Sequence, residues 1–326
     1  MLRRGMTLVE VLVTIGIIVM LIALVLPAVQ AARESSRRLQ CQSHIRQTLI
    51  STHAHHDAKH SLPSLYGGLL PPYSLSRVDQ WHRHSWRVPL LPFLEMSQLW
   101  EQVRWDLCAT AFENTSVAQT LVSEFVCPSG GDPSTKVVAR RRNAEDPLIL
   151  GDEFNVARSD YDAAAGVLIE SPVVRAGKLP ASPFGGFVLY GVWGHPDFEG
   201  EQALLGRIVR YHPGSFGAVT GGLSHTVAIV EHAGKPTEWA RGQIKDAQGE
   251  YPGQHGWSAS DANFWQINWL GIGVNECNYR GMYSFHPGGA NIGMADGSVR
   301  LLADTTSFAA IVGLYGGSVE GLPERQ

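Results

Sequence analysis

The apolar residues of this chain are concentrated at one end and dispersed elsewhere. Residues 11–29 form an apolar run of 19 residues, entered through Met6-Thr7-Leu8-Val9-Glu10. That length is close to the roughly 20 residues a helix needs to cross a bilayer core of about 30 Å. After Pro27 the pattern changes but stays helical. Ala28, Ala31, Ser35, Leu39, Gln42, Ile45, Leu49 and Thr52 recur at spacings of three and four, giving one small-to-apolar face. Arg33, Glu34, Arg37, Arg38, Gln40 and Arg46 fill the opposite face, and Leu62-Pro63 and Gly67-Gly68 stop the helix. The pattern predicts a helix from Thr7 to about Lys59, roughly 80 Å long. Its first half is apolar all round. Its second half is an amphipathic spine for a globular body.

From residue 62 onward, short apolar stretches alternate with turn formers. Residues 95–105 read as an amphipathic turn or short helix. Residues 117–126 are apolar, predict a strand, and end at Cys127-Pro128-Ser129-Gly130-Gly131. Residues 132–152 hold Arg140-Arg141-Arg142, then Glu145 and Asp146, and predict a solvated loop, because alternating charge blocks cannot make a core. Further strands are expected at 166–170, 186–192, 225–231, 283–286, 291–295 and 298–302. The last two form a hairpin: Ile292, Met294, Val299 and Leu301 flank Asp296-Gly297, a dipeptide that favours a type I′ turn. His286-Pro287-Gly288-Gly289 makes the turn before it. The expected class is α+β, a long N-terminal helix packed on a β-rich, mainly antiparallel domain.

Composition narrows the function more than the fold. The 326 residues include 35 Gly and 18 Pro, which suits short strands joined by turns. The net charge is −4, and the first 38 residues hold five Arg and two Glu. The remainder carries 21 positive against 28 negative charges, a net of −7. A mildly acidic body excludes nucleic acid as a partner. No G-x-S-x-G, H-E-x-x-H, phosphate loop or G-x-G-x-x-G is present, so no catalytic residue, no enzymatic activity and no cofactor are expected. His53, His56 and His60 share a helical face at a spacing that can hold a metal, but no Cys or Glu nearby completes a site. They read instead as a polar helix end that favours the C-terminal dipole. Trp257, Trp265 and Trp269 read as core, although exposed tryptophans would also suit carbohydrate. Cys41, Cys108, Cys127 and Cys277 allow two bridges in three pairings, or buried free thiols. Without a C-x2-C pair, no metal site is expected.

Three readings fit the N-terminus. Arg3, Arg4 and the small residues Val29 and Ala31 suit a secretory signal cleaved after Ala31. A plain anchor suits the length but gives no reason for Glu10, whose carboxylate costs on the order of 2.5–3.5 kcal/mol near hydrocarbon. The third reading accounts for every part. Gly5-Met6-Thr7-Leu8-Val9-Glu10 resembles the type IV prepilin and pseudopilin signal, with Met6 where Phe is commoner. The resemblance implies a pilin-like fold, cleavage by a prepilin peptidase between Gly5 and Met6, and methylation of the new N-terminus. It implies an inner-membrane helix with a cytoplasmic N-terminus and an extracytoplasmic body. Glu10 then serves assembly, neutralised by a neighbouring subunit's N-terminal ammonium. Residues 1–5 would be leader, 6–29 the membrane and assembly helix, 30–60 the extramembrane helix, and 61–326 the β-rich extracytoplasmic domain.

The C-terminal part carries a second resemblance. His286, nine residues, Asp296 and Gly297 spell H-x9-D-G, which resembles the signature of a large bacterial family of prepilin-like proteins of unknown function. Leu26-Pro27-Ala28-Val29-Gln30-Ala31-Ala32-Arg33-Glu34, His53 with His56 and Asp57, Leu91-Pro92-Phe93-Leu94-Glu95, Phe125-Val126-Cys127-Pro128-Ser129 and the segment 221–231 are similar to that family too. Its Cys-bearing segments favour Cys41–Cys127, with Cys108–Cys277 as the weaker second bridge. The functional expectation is a pseudopilin-like subunit, homo- or hetero-oligomeric with other pilin-like chains, in a type II secretion or type IV pilus-like system. The alternative is a membrane-anchored extracytoplasmic module that binds a solute or glycan.

Overall fold

A computed structural model describes residues 8–65, 84–107, 109–132, 136–142, 150–169, 187–199, 207–235, 237–246, 256–258, 267–268, 272–278 and 281–315. Helix α1 (Leu8–Lys59) runs unbroken for 52 residues, with Pro27 inside it. Pro27 removes one amide donor from the helical ladder without ending it. Residues 8–33 are all exposed, and Leu24, for example, is 70% exposed. Farther on the same helix turns a face inward: Cys41, Ile45, Thr48, Leu49, Ser51, Thr52 and His55 are buried. His60, at φ 58°, ends the helix in the left-handed region.

The packed face differs from expectation at Leu39, which is 62% exposed. At about 100° per residue, Leu39 lies roughly 160° around the helix from Cys41. Cys41 faces the body, so Leu39 faces away.

The body centres on a four-stranded antiparallel sheet. The strands in chain order are β1 (Lys136–Arg142), β2 (Leu150–Ala157), β3 (Tyr161–Ala163), β4 (Gly166–Ile169), β5 (Phe187–Tyr190), β6 (Gly194–Glu199) and β7 (Arg207–Pro213). They continue as β8 (Val227–Glu231), β9 (Glu238–Ala240), β10 (Gln243–Asp246), β11 (Ile267–Asn268), β12 (Gly289–Met294) and β13 (Val299–Ala303). The central order is β13-β12-β8-β3. Period-2 alternation on β12 sets its two faces. Ala290, Ile292 and Met294 join one core with Val227, Val230, Ile311, Val312 and Tyr315, the last three in or just after α4 (Phe308–Gly313). Asn291 and Gly293 face α1. A Cβ on Gly293 would stand 2.7 Å from both Ile45 Cγ2 and Leu49 Cδ1, so the missing side chain is what lets helix and sheet meet.

Beside β12, Ile292 pairs with Val230 and Gly293 with Ile229, but Met294 pairs with Val227. Ala228 is therefore the extra residue of a β-bulge, and its carbonyl accepts from Ala164 N and Trp193 Nε1. The remaining strands form the ribbons β1–β2, β6–β7 and β9–β10 and the sheet β11-β4-β5, in which β11 and β4 run parallel. A side core gathers Val88, Leu91, Val117, Phe125 and Trp257 around the 3-10 segment Val88–Leu94, with α2 (Ser97–Glu101) and α3 (Thr115–Gln119) beside it.

Four local expectations are corrected. The expected loop at 132–152 contains β1 and part of β2, whose register sets Arg140 opposite Glu153, so a ribbon closes its own ladder without needing a core. The expected strand at 117–126 is helical, divided between α3 and a 3-10 turn at Ser123–Phe125. The segment 283–286 contributes a single bridge, Tyr283 to His232. The β12–β13 turn is not type I′, which would need a positive φ at Asp296 as well as at Gly297. Only Gly297 has one, at 88°. Gly297 N bonds to Met294 O and Met294 N to Ser298 O, so the loop is Ala295, Asp296 and Gly297 with glycine at the left-handed position.

Gly293→Val is expected to push Ile45 and Leu49 off the sheet, destabilising the protein by about 1–3 kcal/mol, as overpacking does. Gly313→Ala, where an added Cβ meets nothing within 4 Å, is the near-neutral control. The denaturation midpoints of the two full-length variants give the comparison.

Candidate functional site

Between α1 and the sheet lies a buried polar cluster assembled from five segments. β8 ends at Glu231, and its register with β12 brings Asn291 alongside. Asn291 N and Nδ2 both donate to Glu231 Oε2, at 3.0 and 2.9 Å. Asn291 Oδ1 accepts from Gln42 Nε2 of α1 at 3.1 Å. Gly288, at φ 84°, turns the chain into β12 and leaves His286 just ahead of the strand, its side chain fully buried.

His286 is the hub. Its Nδ1 is 2.6 Å from Glu34 Oε1 on α1. Its Nε2 is 3.4 Å from Cys127 Sγ and 3.5 Å from Glu231 Oε1. Glu34 is further held by Arg37, at 2.9 and 2.7 Å, and by Ser129 Oγ at 3.2 Å. Cys41 and Cys127, 86 residues apart in sequence, form a disulfide with a Cα separation of 5.3 Å. Asp160 fixes the Cys127 loop from below, accepting from Cys127 N at 2.9 Å and facing Arg158 at 3.4 Å.

Burial and hydrogen bonding divide the charges. Burial raises the Glu34 carboxyl, but its bonds to His286, Arg37 and Ser129 outweigh that and hold it below its ordinary value. Burial lowers His286 despite Glu34. The imidazole is therefore neutral at pH 7, with Nδ1–H donated to the Glu34 carboxylate and Nε2 left as a lone pair. Burial drives Glu231 up to about 8 and Asp160 up to about 6. Glu231 is thus a neutral acid at pH 7, and its Oε1 is buried without a hydrogen-bond partner.

A second buried network lies at the β3 edge of the sheet. Arg87 pairs with Asp162 and with the Tyr161 carbonyl, and its guanidinium stacks on Trp86 at 4.7 Å. Asp162 also meets His232 Nδ1 at 2.8 Å. Burial alone would raise Asp162, yet Arg87 and His232 hold it well below the usual carboxylate range. These residues are enclosed, and they brace the body.

The expected site residues separate into groups. Gly5, Met6 and Cys108 lie outside the described residues. Glu10 is on the exposed first turns of α1. Cys41 and Cys127 are bridged, and Cys277 is a half-buried free thiol. The backbone of Cys277 pairs with Ala240, which fixes it beside β9. His286 and Asp296 of the H-x9-D-G signature stand apart, with β12, about 20 Å of strand, between them. Asp296 Oδ1 instead accepts from Ser298 N and Oγ, at 2.9 and 2.7 Å, and orders the hairpin loop. His53 stacks on Phe216 with ring centroids 4.1 Å apart, and His56 bonds Ser215 Oγ at 3.0 Å. Among the described residues, the donors that gather are instead those of Cys41, Cys127, Glu231 and His286, all within 4.8 Å of one another. No sequence spacing signals that set. Glu34 and Glu231 stand in segments of family resemblance, and only the fold gives them a shared partner.

A long helix with an exposed apolar first half, fastened to an antiparallel sheet by a disulfide and a buried His–carboxyl cluster, defines a helix-tailed α+β protein. The chain belongs to the family described as "Protein of unknown function (DUF1559)", whose model matches residues 30–309. The match begins directly after the apolar run and contains every member of the cluster. No curated protein and no solved structure matches the chain.

Glu231 gives the site a defined pH response. Its pKa rises from an ordinary 4.5 to about 8, so the native state holds a proton that the unfolded chain has released. The associated stability is fully present below about pH 4.5 and is lost as the pH climbs through 8. Urea midpoints at pH 5 and pH 8 are expected to fall toward alkali in the native protein. Glu231→Gln, which keeps an acceptor for Asn291, is expected to make that fall distinctly smaller.

Proposed function

We propose that the protein is a pseudopilin-like structural subunit, anchored by α1 in the inner membrane with its body outside the cytoplasm. A prepilin peptidase removes residues 1–5, and the mature chain assembles with other pilin-like subunits in a secretion or pilus-like system. The observation that carries this reading is the division of α1. Its residues 8–33 are exposed, and an 18-residue window within it reaches a mean hydropathy of 3.0. Such a surface needs lipid or neighbouring helices to cover it. From Cys41 the same unbroken helix is fastened to the sheet. An apolar segment that continues rigidly into the core of the body suits a subunit that is held in a membrane and stacked by its helix. Glu10 fits the same reading, because a carboxylate at the start of an apolar helix is offset only by a cationic partner.

Mass spectrometry of the mature protein is expected to find N-methylated Met6 as the first residue, and Gly5→Val is expected to retain the leader. Ala32 at the N-terminus would overturn the proposal in favour of a cleaved secretory signal. Glu10→Leu is expected to insert normally, or slightly better, while losing the ladder of cross-linked oligomers. An undiminished ladder would favour the anchored solute- or glycan-binding module.

A further inference from the structure

The donors around His286 have the composition of a closed metal site, gathered into one place once the Cys41–Cys127 bond is opened. Tetrahedral zinc binds sulfur, nitrogen and oxygen at roughly 2.0–2.3 Å, which requires ligand-to-ligand edges of about 3.3–3.8 Å. His286 Nε2 stands 3.4 Å from Cys127 Sγ and 3.5 Å from Glu231 Oε1. The atoms of all four residues fall within 4.8 Å of one another. Two features point independently to a ligand. Glu231 Oε1 is buried in the cluster with no hydrogen-bond partner. The other nitrogen of His286 is held by the Glu34 carboxylate at 2.6 Å, the outer support that fixes a metal-ligating imidazole. Asn291 orients Glu231 in the same way through Oε2.

We propose that the dithiol form of the protein binds one zinc-class divalent cation through Cys41, Cys127, His286 and Glu231. The disulfide and the metal are then alternative fasteners of α1 to the sheet, one for oxidising and one for reducing surroundings. A dithiol reductant supplies two electrons and two protons to the Cys41–Cys127 bond and is itself oxidised to a disulfide. The cation then takes both sulfurs as thiolates and Glu231 as a carboxylate, and the three protons these groups carried leave to solvent. The four ligands are at most 2% exposed, so the site is closed and structural, with no position for substrate. The mixed sulfur, nitrogen and oxygen set favours Zn2+ over Ca2+ or Mg2+, which take oxygen alone.

The test uses the full-length chain in detergent, reduced under mild denaturant and returned to native buffer with Co2+ or Zn2+ as probe. One equivalent of Co2+ is expected to give the d–d and sulfur charge-transfer bands of a tetrahedral thiolate site, and Zn2+ is expected to abolish them. Glu34→Gln is expected to weaken binding 10–100-fold without changing the spectrum, as loss of an outer support does. A second readout needs no variant. Zn2+ is expected to shield Cys41 and Cys127 of the reduced chain from alkylation while leaving Cys277 reactive. Absence of the tetrahedral spectrum, or alkylation of Cys41 and Cys127 that is equal with and without Zn2+, would overturn the proposal. So would a Cys41→Ser, His286→Ala double variant that binds Co2+ as tightly as the parent.

Discussion

The close approach of α1 to β12 is the constraint from which the rest of the body follows. Ile45 and Leu49 occupy the space that a side chain at position 293 would fill, so the helix rests almost directly on the strand backbone. With the helix that close, Gln42 reaches Asn291 and Glu34 reaches His286, although 249 and 252 residues separate them in sequence. The disulfide reinforces the same contact. By closing 86 residues it removes conformational freedom from the unfolded chain, on the order of 4–5 kcal/mol in the chain-entropy account. Dispersion, polar and covalent contacts thus all act on one helix–sheet junction.

The buried charges are sorted by whether a partner is at hand. Arg87 and Asp162 stay ionised because each faces the other and the remaining donors find acceptors. Glu231 has amide donors on one oxygen but no cation held against it, so burial, helped by the charge of Asp160, leaves it neutral. His286 lies between an ionised and a neutral carboxyl, which fixes its tautomer. A junction built this way tolerates little change, since removing one partner of a buried charged group leaves the other uncompensated.

α1 divides this chain into two parts. Residues 8–33 are exposed, whereas the face of α1 buried among the described residues begins at Cys41. The family match begins at residue 30, inside this helix. The cluster comes next along the helix, so the body's first polar hold on α1 is the Glu34–His286 contact.

Much of the architecture was legible in the sequence because it depends on local chemistry. A 19-residue apolar run followed by a three-and-four spacing determines the long helix and its stop near Lys59. Alternation on either side of Asp296-Gly297 determines the β12–β13 hairpin, and turn formers determine that the body is rich in short strands. The errors arose where local chemistry was degenerate. The 117–126 segment is apolar in a way that serves a buried helical turn as well as a strand, and the 132–152 charges suit a ribbon as well as a loop. Leu39 fits the helical face by spacing alone, but Cys41 sets the rotation. Of the cluster, the sequence offered only the family-implied Cys41–Cys127 bridge and His286 as a signature residue, with nothing to join them. Glu34, Cys127, Glu231 and His286 meet because sheet order, strand register and the missing side chain at Gly293 bring those segments to one point. Periodicity acts over a few residues, whereas convergence depends on the whole chain path, which only the tertiary structure decided.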